Sequence, residues 1–498
     1  MESAVQTVQP EPLQLEQIPR WDRISDIIVV GQGIAGCCAA LEAKRAGADV
    51  LVVERASGGG GASALSSGIF YLGGGTAVQS ACGYEDDAQQ MLRFLMASTD
   101  PLDPAAVHDF CDNCVEHFDW LERQGVPFER TCFKGKAVFL NTSTCLLMTG
   151  NEKAWPYCEI ARPAPRGHKV AGTGENAGSV AMQALLSKCE LGEIASIYDN
   201  RVTALVQDAN GRVIGVRSRC NAQDFYFGAR RAVILATGSY GMNLDLVRSH
   251  NPLVTANAVP LGIPYNNGEG LLLGQSVGAT LLGMDGVIAT ASIYPPAQLI
   301  KGIIVNKYGE RFVAEDAYHG RTASFVMEQP DQTAYLIVDS EIFAHPEITS
   351  AQHRLVDGFE TVAEMEKGLG ISEGNLQATL SAYNEDAAKG VDRALHKQAE
   401  WLKPLTAAPY AAFDISFNKS IYLFMTLGGM RSSRHGEALD VRGNPIPGLY
   451  AVGACSAHIP RSGKSYASGM SLGPGSYFGR RAGRHAALRT PVELPAVG

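Results

Sequence analysis

The stretch Asp26-Ile27-Ile28-Val29-Val30 runs straight into the glycine turn Gly31-Gln32-Gly33-Ile34-Ala35-Gly36, and a second apolar stretch, Asp49-Val50-Leu51-Val52-Val53, ends in Glu54. Residues of these types at this spacing can hold a dinucleotide. A buried parallel strand would feed a helix whose unpaired N–H groups and dipole attract a pyrophosphate, while Gly31 and Gly33 let backbone and ligand approach closely. Gly36 would let helix and strand pack. The carboxylate of Glu54, about 20 residues past the turn, can accept both hydroxyls of an adenosine ribose and would repel a 2′-phosphate. A glycine triplet alone is a weak signal. Here strand, turn, small-residue helix (Cys37 to Ala46), second strand and terminal acid arrive in order.

The elements that must position this site follow along the chain. Gly58 to Gly68 is a run too glycine-rich to be a helix, which suggests backbone passing close to something flat or charged. Helical periodicity resumes over Asp86 to Ser98 and Pro104 to Gln124. Val202 to Gln207 and Val213 to Arg217 flank Asn210-Gly211, a hairpin signal leading back to a central sheet. Ala232-Val233-Ile234-Leu235-Ala236-Thr237-Gly238 reads as an apolar strand returning beside the first, and Gly448 to Ala454 as a similar strand-to-turn much later in the chain. The nucleotide domain is therefore expected to be discontinuous, 23–278 and 420–498, after an N-terminal tail over 1–22. The intervening 279–419 mixes short strands (Gly302 to Asn306, Ala334 to Val338) with helices (Thr361 to Leu369, Ser372 to Ala387) and reads as an inserted α+β domain closing over a cofactor. No second GxGxxG with an acid behind it occurs, so one dinucleotide is expected and no separate nicotinamide site.

Bulk properties narrow the function classes. At 498 residues the chain exceeds the roughly 250–300 at which single cores stop growing, and 46% hydrophobic content suffices for more than one. A net charge of -9 without a basic run argues against nucleic acid. No apolar stretch reaches the ~20 residues that span a bilayer, and Met1 to Trp21, rich in Pro, Glu and Gln, reads as a loose tail rather than a signal. A cytoplasmic protein is expected. The eleven cysteines, an odd number, fit reduced buried thiols. Cys111-Asp112-Asn113-Cys114 lies in a helical stretch with no second CxxC and no following His, which makes it two ordinary helix cysteines rather than a metal or haem site.

Taken together, Gly31 to Gly36, Glu54, the Gly58 to Gly68 run, Ala236-Thr237-Gly238, Thr426-Leu427-Gly428-Gly429 and Gly448 to Gly453 resemble the fumarate reductase and succinate dehydrogenase flavoprotein superfamily over nearly the whole chain. The resemblance implies an α/β fold: a Rossmann-type FAD-binding domain with an inserted capping domain, and chemistry at flavin N5. FAD would be contacted by Gly31, Gly33, Ile34, Ala35, Gly36, Glu54, Arg55, Ala62, Ser63, Ser67, Gly68, Val202, Ala236, Thr237, Gly238, Gly453 and Ala454. The N–H groups of Ser471 and Leu472, at the start of a final helix running towards Leu488, would face its pyrimidine edge. Covalent flavin in that superfamily uses a His in the glycine run; Ala62-Ser63-Ala64 has none, so FAD is expected to be non-covalent, and no metal is implied.

The dicarboxylate branch carries Asn-Arg-Leu-Gly-Gly-Asn before the last helix. This chain has Ser465-Tyr466-Ala467-Ser468-Gly469-Met470, with a phenol where the arginine would lie, and Tyr318-His319 near the expected proton-donor arginine. Two tyrosines and a serine resemble the 3-ketosteroid dehydrogenases, and Tyr-Ala-Ser-Gly resembles their Δ4-(5α) branch more than the Tyr-Pro-Gly-Pro-Gly of the Δ1 branch. In that resemblance Tyr466 and the Gly469 N–H hold the 3-keto oxygen, and the absence of a Cβ at Gly469 admits substrate. Ser468 takes the C4 proton, Tyr318 relays it outward, with His319 a possible aid, and the C5 hydride reaches flavin. Serine is a poor base alone, so its coupling to Tyr318 and a partner or water is required. The partners implied are a 3-ketosteroid and an unidentified electron acceptor. Three readings stay open beside this one: Δ1 regiochemistry, reduction of a small enoate with Arg311, Arg321 or Arg461 as clamps, and a flavin electron carrier without turnover.

Overall fold

The structure is a computed structural model that describes residues 10–136, 140–290, 296–346, 354–457 and 459–494. Its centre is a parallel sheet in the order 195–197, 50–53, 23–30, 223–235 and 445–451. Ile28 pairs with Leu51 on one side and Val233 on the other, and Val233 in turn with Leu449. These strands are Val/Ile/Leu runs without alternation because both faces are covered; Ile27, Ile28 and Val29 are fully buried. The hairpin Arg201–Gln207 and Val213–Cys220 continues antiparallel into Gln223–Leu235, as Asn210-Gly211 predicts.

The helix Ile34–Arg45 leaves the glycine turn and packs along the closing helix Leu472–Ala487. Their backbones touch. A Cβ at Gly479 or Gly483 would overlap the carbonyls of Ala35 or Ala39, and one at Gly36 would overlap the Gly31 carbonyl. Lys44 and Arg45 in the last turn complement the helix dipole.

Between the strands Gln223–Leu235 and Pro445–Ala451 in sequence lies a separate four-stranded antiparallel sheet, 303–306, 334–339, 410–414 and 354–359, flanked by the helices Val362–Leu369 and Asn375–Ala388. A buried ion cluster ties it together: Arg311 reaches Glu315 at 2.8 Å and Asp392 at 2.9 Å, and Lys397 lies 3.3 Å from Glu315. A three-stranded sheet of 258–260, 422–426 and 287–290 runs beside the cavity described below.

Three expectations are corrected. Gly61–Leu65 is a helix despite its glycine-rich surroundings, because Ala62, Ala64 and Leu65 are good helix formers once the turn is set by Gly60 at φ +121°. The helical stretch over Pro104 to Gln124 is two helices, Pro104–Asp112 and Cys114–Arg123, broken at Asn113 within the CxxC. The tail is not loose where it is described: Leu13–Gln14 pairs with Val206–Gln207, and Ile18 is buried against Val206 and Ile214. Met1 to Gln9 lie outside the described residues. Among the described residues no helix is long and apolar enough to cross a membrane.

Candidate active site

One cavity of about 770 Å³ gathers most of the residues singled out from sequence. This is within the range of roughly 300–1,000 Å³ typical of small-molecule sites. Its nucleotide-like wall contains Gly31, Gly33, Ile34, Ala35, Glu54, Arg55, Ala62, Ser63, Ser67, Val202, Ala236, Thr237, Gly238, Gly453, Ala454, Ser471 and Leu472. Gly36 and Gly68 do not line it. Gly36 serves helix–strand packing, and Gly68, at φ +71°, lies against Val170 and the backbone of Gly178.

The residues fit a flavin dinucleotide. The helix Ile34–Arg45 starts at Gly33 without a side-chain cap, and the helix Leu472–Ala487 starts at Ser471 equally uncapped, so two helix N-termini meet one cavity. Glu54 is held by two backbone donors, Gln32 N–H at 2.7 Å and Ala56 N–H at 2.8 Å, which aims the carboxylate and leaves lone pairs for ligand hydroxyls. Residues the sequence analysis missed complete this end. Glu269 accepts from Arg55 at 2.9 Å and from Arg201 at 2.9 and 2.8 Å, and the Arg55 guanidinium lies 4.4 Å from the Tyr265 ring centroid. An acid opening a helix directly after Asn266-Asn267-Gly268 was the available signal.

The second part of the wall holds Tyr318, His319, Tyr466, Ser468 and Gly469 together with apolar Leu261, Ile263, Ile288, Leu423 and Met425. Ser468 Oγ donates to the Tyr318 hydroxyl at 3.3 Å, and Tyr466 pairs with Ser471 Oγ at 3.1 Å. The two tyrosine rings lie 6.3 Å apart. Both tyrosines are buried, and burial pushes the Tyr466 phenol up to about 12 against the opposing pull of Ser471. Burial, with the Lys136 charge nearby, pushes the His319 imidazole down to about 3. Tyr466 and His319 are thus a neutral donor and a neutral imidazole near pH 7.

Gly469 is required for a reason other than the expected one. Its φ is +93°, and a Cβ would run into the backbone of Phe70 and Tyr71 rather than into the cavity. The fumarate-type clamps are elsewhere: Arg311 is in the buried ion cluster, Arg321 donates to Tyr157 at 2.8 Å, and Arg461 pairs with Asp100 at the surface. None of the three lines the cavity, and the arginines that do, Arg55 and Arg201, are bound to Glu269.

A family profile for an FAD binding domain matches residues 26–467. The crystal structure of 3-ketosteroid-Δ4-(5α)-dehydrogenase from Rhodococcus jostii RHA1, in complex with 4-androstene-3,17-dione, superposes with a TM-score of 0.91 at 39% identity, covering 96% of this chain and all of that one. The 3-oxo-5-alpha-steroid 4-dehydrogenase of Comamonas testosteroni is 27% identical over 87% of this chain and 93% of that protein. Urocanate reductase of Eggerthella lenta is likewise 27% identical, over 93% of this chain and 74% of its own length. The chain therefore belongs to the family of FAD-binding flavoprotein oxidoreductases that includes 3-ketosteroid Δ4-(5α)-dehydrogenase, and FAD is its cofactor.

Proposed function

We propose that the protein introduces the C4–C5 double bond into 5α-3-ketosteroids, with segment 279–419 as the capping and catalytic domain of a discontinuous FAD-binding domain. Loss of a proton α to a ketone requires the carbonyl oxygen to be stabilised as it gains enolate character. Tyr466, neutral and buried, and the Gly469 N–H donate to that oxygen. A donor of this kind in a dry site contributes about 3 kcal/mol. Ser468 takes the C4 proton as its own passes along the hydrogen bond to Tyr318, whose phenolic proton leaves to a water and so to solvent; without that coupling the serine would be too weak a base. Bound FAD, held non-covalently, supplies the acceptor for the C5 hydride. Leu261, Ile263, Ile288, Leu423 and Met425 provide the apolar slot a rigid sterol skeleton needs.

The observation carrying this reading is the Ser468–Tyr318 hydrogen bond set beside Tyr466 in a part of the wall that holds no arginine among the described residues. A dicarboxylate would need paired cations there. A cytoplasmic location is part of the proposal, and rests on eleven free cysteines in a chain of this size. The test is anaerobic. A 5α-reduced 3-ketosteroid is expected to bleach the flavin and yield the Δ4-3-ketone, and Tyr466→Phe to slow bleaching about 10²- to 10³-fold. A Δ1 product would reassign the regiochemistry, while bleached enzyme reoxidised by an enoate carboxylate but never reduced by a steroid would overturn the substrate class.

A further inference from the structure

We propose that Asn151 is a positioning residue that holds Tyr318 and Tyr466 in register, an inference that rests on the steroid reading above. Asn151 is only 1% exposed and lies 167 residues before the first tyrosine and 315 before the second. Its Oδ1 accepts from the Tyr318 N–H at 3.2 Å, and its Nδ2 donates to the Tyr466 carbonyl at 3.4 Å. Because one neighbour is an N–H and the other a C=O, the amide has a single workable orientation. A carboxylate would set oxygen against the Tyr466 carbonyl, and an aliphatic side chain of the same size would serve neither group.

The surrounding segment is built to present this amide. Glu152, buried, accepts from Thr149 N–H at 3.0 Å and Gly150 N–H at 2.8 Å, which shapes the turn. Gly150, at φ +124°, lets the Tyr318 ring seat directly on bare backbone, where any Cβ would collide with it. A second tether joins neighbouring residues of the same three segments: Arg321, on the helix that begins after Tyr318, donates to Tyr157 at 2.8 Å and to the Lys464 carbonyl at 3.4 Å. The stretch 149–157 thus brackets the proton-relay tyrosine and the ketone-binding tyrosine from outside the cavity. Asn151 itself is not at the wall.

The test compares Asn151→Ala and the isosteric Asn151→Asp with the parent holoenzyme. Misplacement of a reacting group by about 1 Å costs on the order of 10²-fold, so both variants are expected to slow anaerobic flavin bleaching by a 5α-3-ketosteroid about 10- to 100-fold. They should also raise the Kd of the Δ4-3-ketone product, with FAD content close to the parent and a melting temperature lowered by the unpaired buried groups but still well above the assay temperature. In the Tyr466→Phe background the added loss from Asn151→Ala should be smaller than its loss alone, because the group it positions is gone. Parent-like rates, losses that multiply, or loss of FAD content in both variants would overturn the inference. A parent enzyme that no 3-ketosteroid bleaches would instead sink the steroid reading, and this one with it.

Discussion

The chemistry at the tyrosine wall is governed by burial acting on individual groups. Desolvation disfavours the charged form, so a phenol is raised and an imidazole lowered. Tyr466, at about 12, keeps its proton across the physiological range, and His319, at about 3, stays neutral. Ionisation of Tyr466 should accordingly not weaken binding of the Δ4-3-ketone up to about pH 10, measured by flavin difference spectroscopy in a Lys136→Met variant, because burial pushes the Lys136 ammonium near His319 down to about 8. Weakening below that pH would show a phenol that ionises early. His319→Gln should leave the shape of the bleaching–pH profile unchanged between about pH 5 and pH 8, because the imidazole does not titrate there. Family resemblance singled out Tyr466, Ser468 and Tyr318, and all three line one cavity. The Ser468–Tyr318 pairing was expected as well, because a lone serine is too weak a base, and the two hydroxyls lie in hydrogen-bond contact although their residues stand 150 positions apart.

At the level of elements, local rules carried far. The apolar runs ending in glycine are parallel strands, Asn210-Gly211 turns a hairpin, and Thr361 caps its helix by accepting from Glu364 N–H at 3.1 Å. They failed at the break at Asn113 and the edge strand Leu13–Gln14, where tertiary contact overrides propensity, and at Gly61–Leu65, where helix formers follow a turn set by Gly60 within a glycine-rich run. The glycine turn works because Gly36 lets the helix sit on the strand. Gly36→Ala would overlap the Gly31 carbonyl, an overpacking that costs about 1–3 kcal/mol. The variant should unfold at lower urea and release FAD faster, both measurable by flavin fluorescence. A parent-like midpoint with unchanged FAD release would show that the turn tolerates a methyl group.

Across the whole molecule, the four-stranded sheet depends on a charge cluster that a residue count along the chain does not reveal. Burial raises the Glu315 carboxyl, but the Arg311 and Lys397 charges outweigh it and hold the group below the usual carboxylate range. A lowered folded-state pKa contributes stability that is complete above the unfolded value of about 4.3 and is lost as pH falls below it. Glu315→Gln removes one partner from a buried network and should cost about 3–5 kcal/mol in urea unfolding, with a correspondingly weaker loss of stability on acidification. What the sequence determined by itself was the nucleotide-binding turn, its cofactor class and the discontinuous order of the apolar strands, because backbone conformation, ribose recognition and double-sided burial each demand particular residues at short spacing. Tertiary structure alone decided that Glu269 joins Arg55 to Arg201, that Gly469 packs on Tyr71, and that Asn151 reaches both tyrosines. Those contacts link residues far apart in the chain, and no local pattern encodes which distant backbone group a buried side chain will meet.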